Sequence, residues 1–109
     1  MDLQKLTDDL ELVSQRYAEV YGIRRDEAWF VLKLQEEVGE LTQAFLMRTG
    51  QARPKGLTPA ELRAGVGAEV ADVLCQVLLL AKHLDVDLPA EVTKKWLSRL
   101  PPAGDPSAA

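Results

Sequence analysis

Two stretches of this chain set carboxylates three residues apart inside patterns that otherwise read as apolar helix. The first, Lys33 to Leu41, carries Glu36, Glu37 and Glu40. At 3.6 residues per turn, Glu37 and Glu40 lie about 60° apart and Glu36 about 40° beyond Glu40, so all three share one sector. The second, Ala68 to Ala81, has only Glu69, Asp72 and Gln76 as clearly polar residues and reads as a helix buried nearly all round. An ionised carboxylate in such a segment is costly to desolvate unless it is paired, protonated or bound to metal. A solvated acidic face would explain the first cluster alone. The repeated i, i+3 spacing points instead to two helices packed side by side, each presenting a carboxylate pair to one point between them. Ligands that are all oxygen favour Mg2+, with Mn2+ as a possible substitute, over zinc, which recruits Cys or His.

The chain has 109 residues, of which 47% are hydrophobic and 28% charged, and this composition predicts a single soluble globular domain over residues 1–100. A chain this short buries a limited fraction of its apolar surface alone, so association into an oligomer is expected. A net charge of -4 without a basic stripe argues against a nucleic-acid polymer as partner. The single cysteine, Cys75, excludes an intrachain disulfide and fits a reducing compartment. No uninterrupted apolar run is longer than five residues, so neither a signal segment nor a membrane span is expected, and a cytoplasmic location is.

In chain order, Leu3, Leu6, Leu10, Val13, Tyr17 and Val20 form a helical stripe on a first, packing helix that Gly22 is suited to cap. Asp26 can cap a second helix from Glu27 to Arg48. On its wheel Phe30, Leu34, Val38, Leu41 and Phe45 span about 80° as the core face, with Glu37 at the edge of that arc. Trp29, Lys33 and Met47 share the carboxylate sector, which leaves Trp29 either a core residue or a surface for stacking a base. Gly39 suggests either a close approach or one tolerated glycine. Residues 49–57 form a loop, and Arg48, Arg53 and Lys55 fall in an interval without acids, which suits a polyphosphate whose outer oxygens bind cations. Thr58, Pro59 and Glu61 make a helix start with a capping box. The third helix runs to about His83, with Gly65 and Gly67 predicting irregularity before Glu69. A short last helix is expected to use Val92, Trp96 and Leu100 as its apolar face, and Lys94, Lys95 and Arg99 make it cationic. The tail, residues 101–109, is rich in Pro, Gly, Ser and Ala and predicts disorder.

Competing chemistries fit less well. A di-iron carboxylate bundle expects Glu-x-x-His, and Leu80 stands three residues before His83. Cys75 has no base near it in sequence, and no Gly-rich phosphate loop is present.

The order KLQEEVGEL, basic loop, EVADVLCQVLLLA and short basic helix resembles the MazG-like all-α nucleoside triphosphate pyrophosphohydrolases, over roughly residues 26–99. The resemblance implies an all-α, four-helix bundle completed by a homodimer or homotetramer. It implies Mg2+-dependent cleavage of a nucleotide between its α and β phosphates, releasing a monophosphate and pyrophosphate, in the housecleaning of nucleotide pools. Carried over residue by residue, the metal ligands are Glu37, Glu40, Glu69 and Asp72, and Glu36 orients or deprotonates the attacking water. Trp29, Lys33, Arg48, Arg53, Lys55, Lys94 and Lys95 are the candidate substrate-binding residues. Many members carry an asparagine near a lysine in the last basic stretch, whereas Lys94 to Arg99 has none. Two alternatives stand beside this one: a phosphoribosyl-ATP pyrophosphohydrolase, and a non-catalytic helical module whose carboxylates pair with Lys or Arg across a dimer interface.

Overall fold

Helix boundaries follow from the capping chemistry. The structure, a computed structural model, describes residues 2–104. It is all-helical, with α1 (Leu3–Tyr21), α2 (Glu27–Arg48), α3 (Pro59–His83), α4 (Leu88–Lys95) and a 3-10 turn (Leu97–Arg99). Asp2, Asp26, Thr58 and Asp87 each occupy an N-cap with the side chain accepting from backbone N–H groups of the first turn, which would otherwise lack partners. Thr58 and Glu61 close the capping box in both directions. Gly22 ends α1 in the left-handed region at φ 64°, where a Cβ would be strained.

α2 and α3 form the antiparallel hairpin on which the rest is hung. The Phe30 ring lies on His83, with centroids 4.6 Å apart, while Glu37 and Glu40 meet Glu69 and Asp72 farther along, so rising numbers on α2 face falling numbers on α3. α1 packs on α3 and is tied down at two points, by the turn before α2 and by the end of α3. The Arg25 guanidinium donates to both carboxylate oxygens of Glu11, at 2.7 and 2.8 Å, and to Ser14 Oγ at 3.1 Å; Lys82 donates to Asp8 at 3.2 Å. The core is small: Phe30, Leu78 and Leu79, with Ala18 and Ala81, are its buried apolar residues among those described.

Several expectations are corrected by this packing. α3 is not buried all round, since Val70 and Leu74 are about half exposed and Asp72 is exposed. On α2 the predicted core face is divided, with Phe30 buried while Val38 and Phe45 are exposed. Three helices leave each one a side without a neighbour, and those sides are apolar here. Gly65 and Gly67 do not disturb α3, which is continuous through both. Apart from the backbone of α2 itself and the two neighbouring residues, no atom of the described residues lies within 4 Å of a Cβ built at Gly39, so no other element among them approaches it closely. α4 packs on the 3-10 turn after it, and Val92, Trp96 and Leu100, its expected apolar face, stay exposed. Residues 101–104 are exposed and non-helical, while the rest of the expected disordered tail, 105–109, lies outside the described residues.

By length and composition alone α3 could cross a membrane, with a mean hydropathy of 1.7 over its most apolar 18 residues. The same apolarity is expected of a helix covered on several sides by other helices. Its carboxylates Glu69 and Asp72 meet those of α2, as in a helix packed within a bundle.

Candidate metal centre

The hairpin register brings together the four carboxylates that the spacing singled out. Glu37, Glu40, Glu69 and Asp72 each offer one oxygen, and these oxygens lie within 4.8 Å of one another. Two residues three apart on α2 face two residues three apart on α3, so each helix supplies both members of its pair from one side. Glu37 is buried, Glu69 half-buried, and Glu40 and Asp72 are exposed, so the cluster is closed on one side and open on the other.

Electrostatics make this arrangement unstable as it stands. Burial, followed by the charges of Glu40 and Asp72, pushes the Glu37 carboxyl up to about 7 from an ordinary 4.5. Burial and the same two neighbours also raise Glu69. One oxygen of Glu37 and one of Glu69 are buried without a hydrogen-bond partner. Buried carboxylate oxygens are normally satisfied, and the nearest groups here are other carboxylates, which offer no donor when ionised. A divalent cation would provide both counter-charge and a partner for these oxygens, and an all-carboxylate donor set fits Mg2+ or Mn2+.

A groove of about 430 Å3 opens beside the cluster, and Glu37 and Asp72 form part of its wall. Trp29 and Lys33 line it as well. Lys33 Nζ is 3.3 Å from Glu36 and 5.9 Å from the centre of the Tyr17 ring. Burial works to lower the Lys33 pKa, but the Glu36 hydrogen bond and charge outweigh it and the net shift is upward, which keeps the ammonium charged. Glu36 is exposed beside the cluster and is not among its four converging residues.

The remaining cations stand elsewhere. Arg48 ends α2, eight residues beyond Glu40 and hence roughly 12 Å along the helix axis. Arg53 and Lys55 belong to the hairpin loop, whose start is fastened by Gln51 and Ala52 donating to the Leu46 carbonyl. Lys94 and Lys95 lie on α4, past the opposite end of α3. None of these five lines the groove.

Sequence reasoning missed the contribution of α1. Read as a packing helix, it supplies Leu10, Val13, Ser14 and Tyr17 to the groove wall, and α3 adds Gln76. For α1 no signal in the pattern distinguishes a residue facing a core from one facing a groove. Gln76 did carry a signal, since it is the third polar residue of an otherwise apolar segment. Comparison of the chain with models of known protein families, with curated proteins and with solved structures finds no match in any of the three.

Proposed function

We propose that this protein is a Mg2+-dependent nucleoside triphosphate pyrophosphohydrolase that cleaves between the α and β phosphates. The observation that carries the reading is the convergence of Glu37, Glu40, Glu69 and Asp72 within 4.8 Å, with buried oxygens of Glu37 and Glu69 left without a partner. These four residues would hold the metal. When bound, Mg2+ neutralises phosphate oxygens that the acidic site would otherwise repel and acidifies a water for attack on phosphorus.

The chain's own side chains supply the rest. Glu36, exposed and one residue from the cluster, takes the proton of the attacking water or fixes its direction. Lys33 holds a phosphate oxygen at the mouth of the groove and stabilises the charge that grows on the departing pyrophosphate. Arg48, Arg53 and Lys55 offer further positive charge at the hairpin end, and Lys94 and Lys95 offer it on α4. We read the apolar faces left open on α2, α3 and α4 as the surface of a homodimer or homotetramer.

A pyrophosphate-release assay over canonical and modified nucleoside triphosphates, with phosphoribosyl-ATP as an added substrate, tests the reaction. The expected result is equimolar monophosphate and pyrophosphate, dependent on Mg2+ and abolished by EDTA. Release of orthophosphate alone, or no turnover of any substrate, overturns it. Preference for phosphoribosyl-ATP assigns the chain to that related reaction.

A further inference from the structure

Residues 84–100 carry a charge order that the rest of the chain does not use. Asp85, Asp87 and Glu91 are the ionisable residues of the first half, and Lys94, Lys95 and Arg99 those of the second. Among the described residues none of the six takes part in an ion pair. Acids at the start of a helix and bases at its end complement the helix dipole, so the order alone decides nothing. The apolar side chains between them do.

Those side chains have no cover. Every residue from Pro89 to Leu100 is exposed, and α4 buries none of its eight residues. Leu88, Val92 and Trp96 follow one another at i, i+4 and so share one face. At its start that face joins a cavity of about 500 Å3, walled by Val86, Leu88 and Pro89 beside the buried Leu78 and Ala81. Asp2, Asp85 and Asp87 also line the cavity, and its cation, Lys82, is already paired with Asp8. At the other end stand Trp96, 64% exposed, with Leu97 and Leu100. A helix of eight residues is marginal by itself and takes its stability from packing an apolar face.

The segment is complementary to itself when reversed. Laying two copies antiparallel about a two-fold axis at Thr93 sets residues equally far before and after that position opposite each other. Glu91 then faces Lys95 of the other copy, Asp87 faces Arg99, and Val86 faces Leu100. Trp96 falls beside Ala90, whose small side chain leaves it room, and Leu97 falls beside Pro89 at the cavity. Glu91 and Lys95 border the same edge of the apolar stripe, whereas Lys94 lies on the far side of the helix. Each match occurs twice, and a parallel pair would instead set like charges side by side.

We infer that residues 84–100 form an antiparallel contact with the same segment of a second copy, with Glu91 against Lys95 and the Trp96 end of each copy on the cavity side of the other. The inference gives a surface and a register to the assembly proposed above, and it depends on no residue of the carboxylate cluster and on no reaction. An interface of this size stands at the weak end of specific contacts, so a dissociation constant on the order of 10 μM is expected.

The test uses the full chain carrying Trp29→Phe, which leaves Trp96 as its tryptophan, followed by sedimentation equilibrium and by emission across a concentration series. Trp96 emission should move to shorter wavelength as the chain associates. Glu91→Lys and Lys95→Glu should each weaken association about tenfold, since each brings like charges together twice. Mixed in equal amounts, the two variants should regain the association of the parent, because each then meets the opposite charge on the other chain. Charges acting only within their own helix gain nothing on mixing. Lys94→Glu should associate as the parent does. Sedimentation of the charge variants in the natural background carries the test if Trp29→Phe does not fold. A chain that stays monomeric, an associated chain whose Trp96 emits as a solvated indole, or a mixture no better than either variant alone overturns the inference. Pyrophosphate release by a chain whose association ignores these charges leaves the hydrolase reading standing and removes this one, and rescue on mixing without pyrophosphate release does the reverse.

Discussion

Glu37 is buried and the carboxylates gathered beside it carry its own sign of charge. Its carboxyl titrates near 7 in the folded chain and near 4.5 when free of the fold, so the folded state binds a proton that the unfolded state releases. Stability from this group is complete below about 4.5 and is lost as pH rises through 7. Glu69 acts in the same direction. Glu11 acts oppositely: Arg25 holds it below the usual carboxylate range, so its contribution is present above 4.5 and is lost at acid pH. In EDTA the melting temperature should therefore fall between pH 5.5 and pH 8, and saturating Mg2+, which favours the ionised carboxylates, should flatten that fall. Thermal scans across this range check it, and a melting temperature that rises with pH in EDTA contradicts the assignment. The roles within the cluster separate by substitution. Asp72→Asn removes a ligand charge, so turnover and Mg2+ affinity should collapse together. Glu36→Gln should cost on the order of 10²-fold in turnover with metal affinity near the parent value, measured by calorimetric titration beside the pyrophosphate assay. The convergence of the four carboxylates was legible in sequence because an i, i+3 pair declares a shared helix face. Gln76 as an orphaned acceptor was not, since its lack of a partner depends on what α1 and α2 place around it.

At the scale of the elements, the helix ends were readable and the faces were not. Capping is local chemistry, decided by a side chain and the three or four residues after it, which is why Gly22, Asp26, Thr58 and Glu61 predicted their positions. A helix face acquires meaning only from what lies against it. Val92, Trp96 and Leu100 follow an amphipathic pattern yet remain exposed, and Tyr17 follows a core stripe yet lines a groove. The glycines of α3 show the converse: intrinsic propensity predicted irregularity, but the Thr58 cap and the packing against α2 hold the helix straight through Gly65 and Gly67. Apart from the backbone of α3 itself and the neighbouring residues, no atom of the described residues lies within 4 Å of the space a Cβ would fill at either glycine, and both have helical backbone. Gly65→Ala and Gly67→Ala should each raise stability by about 0.4–1 kcal/mol, by restricting the unfolded chain and favouring the helix. Denaturant unfolding measures this. A loss of stability in either variant shows that another surface, such as a second copy, packs there.

At the scale of the whole molecule, the chain is extended and its core is small. Its radius of gyration is 17.6 Å, whereas a compact domain of this length measures about 13 Å. Its buried apolar core holds few large side chains, and Val31, Leu32, Val70, Leu74 and Trp96 are among many left in solvent. This exposed apolar area is the surface that the proposed assembly would cover. Sedimentation across a concentration series should find a dimer or tetramer, with a melting temperature that rises with protein concentration. A monomer at every concentration contradicts the proposed assembly. The central claim concerns the point where the hairpin gathers its carboxylates, and it is tested most directly by thermal unfolding at neutral pH in EDTA and in saturating Mg2+, for the natural chain and for Asp72→Asn. Linkage predicts stabilisation of about 2.7 kcal/mol at a hundredfold excess of Mg2+ over its dissociation constant. The shift should be clear in the natural chain and largely lost in Asp72→Asn, whereas equal melting temperatures of the natural chain in EDTA and in Mg2+ would contradict the metal centre.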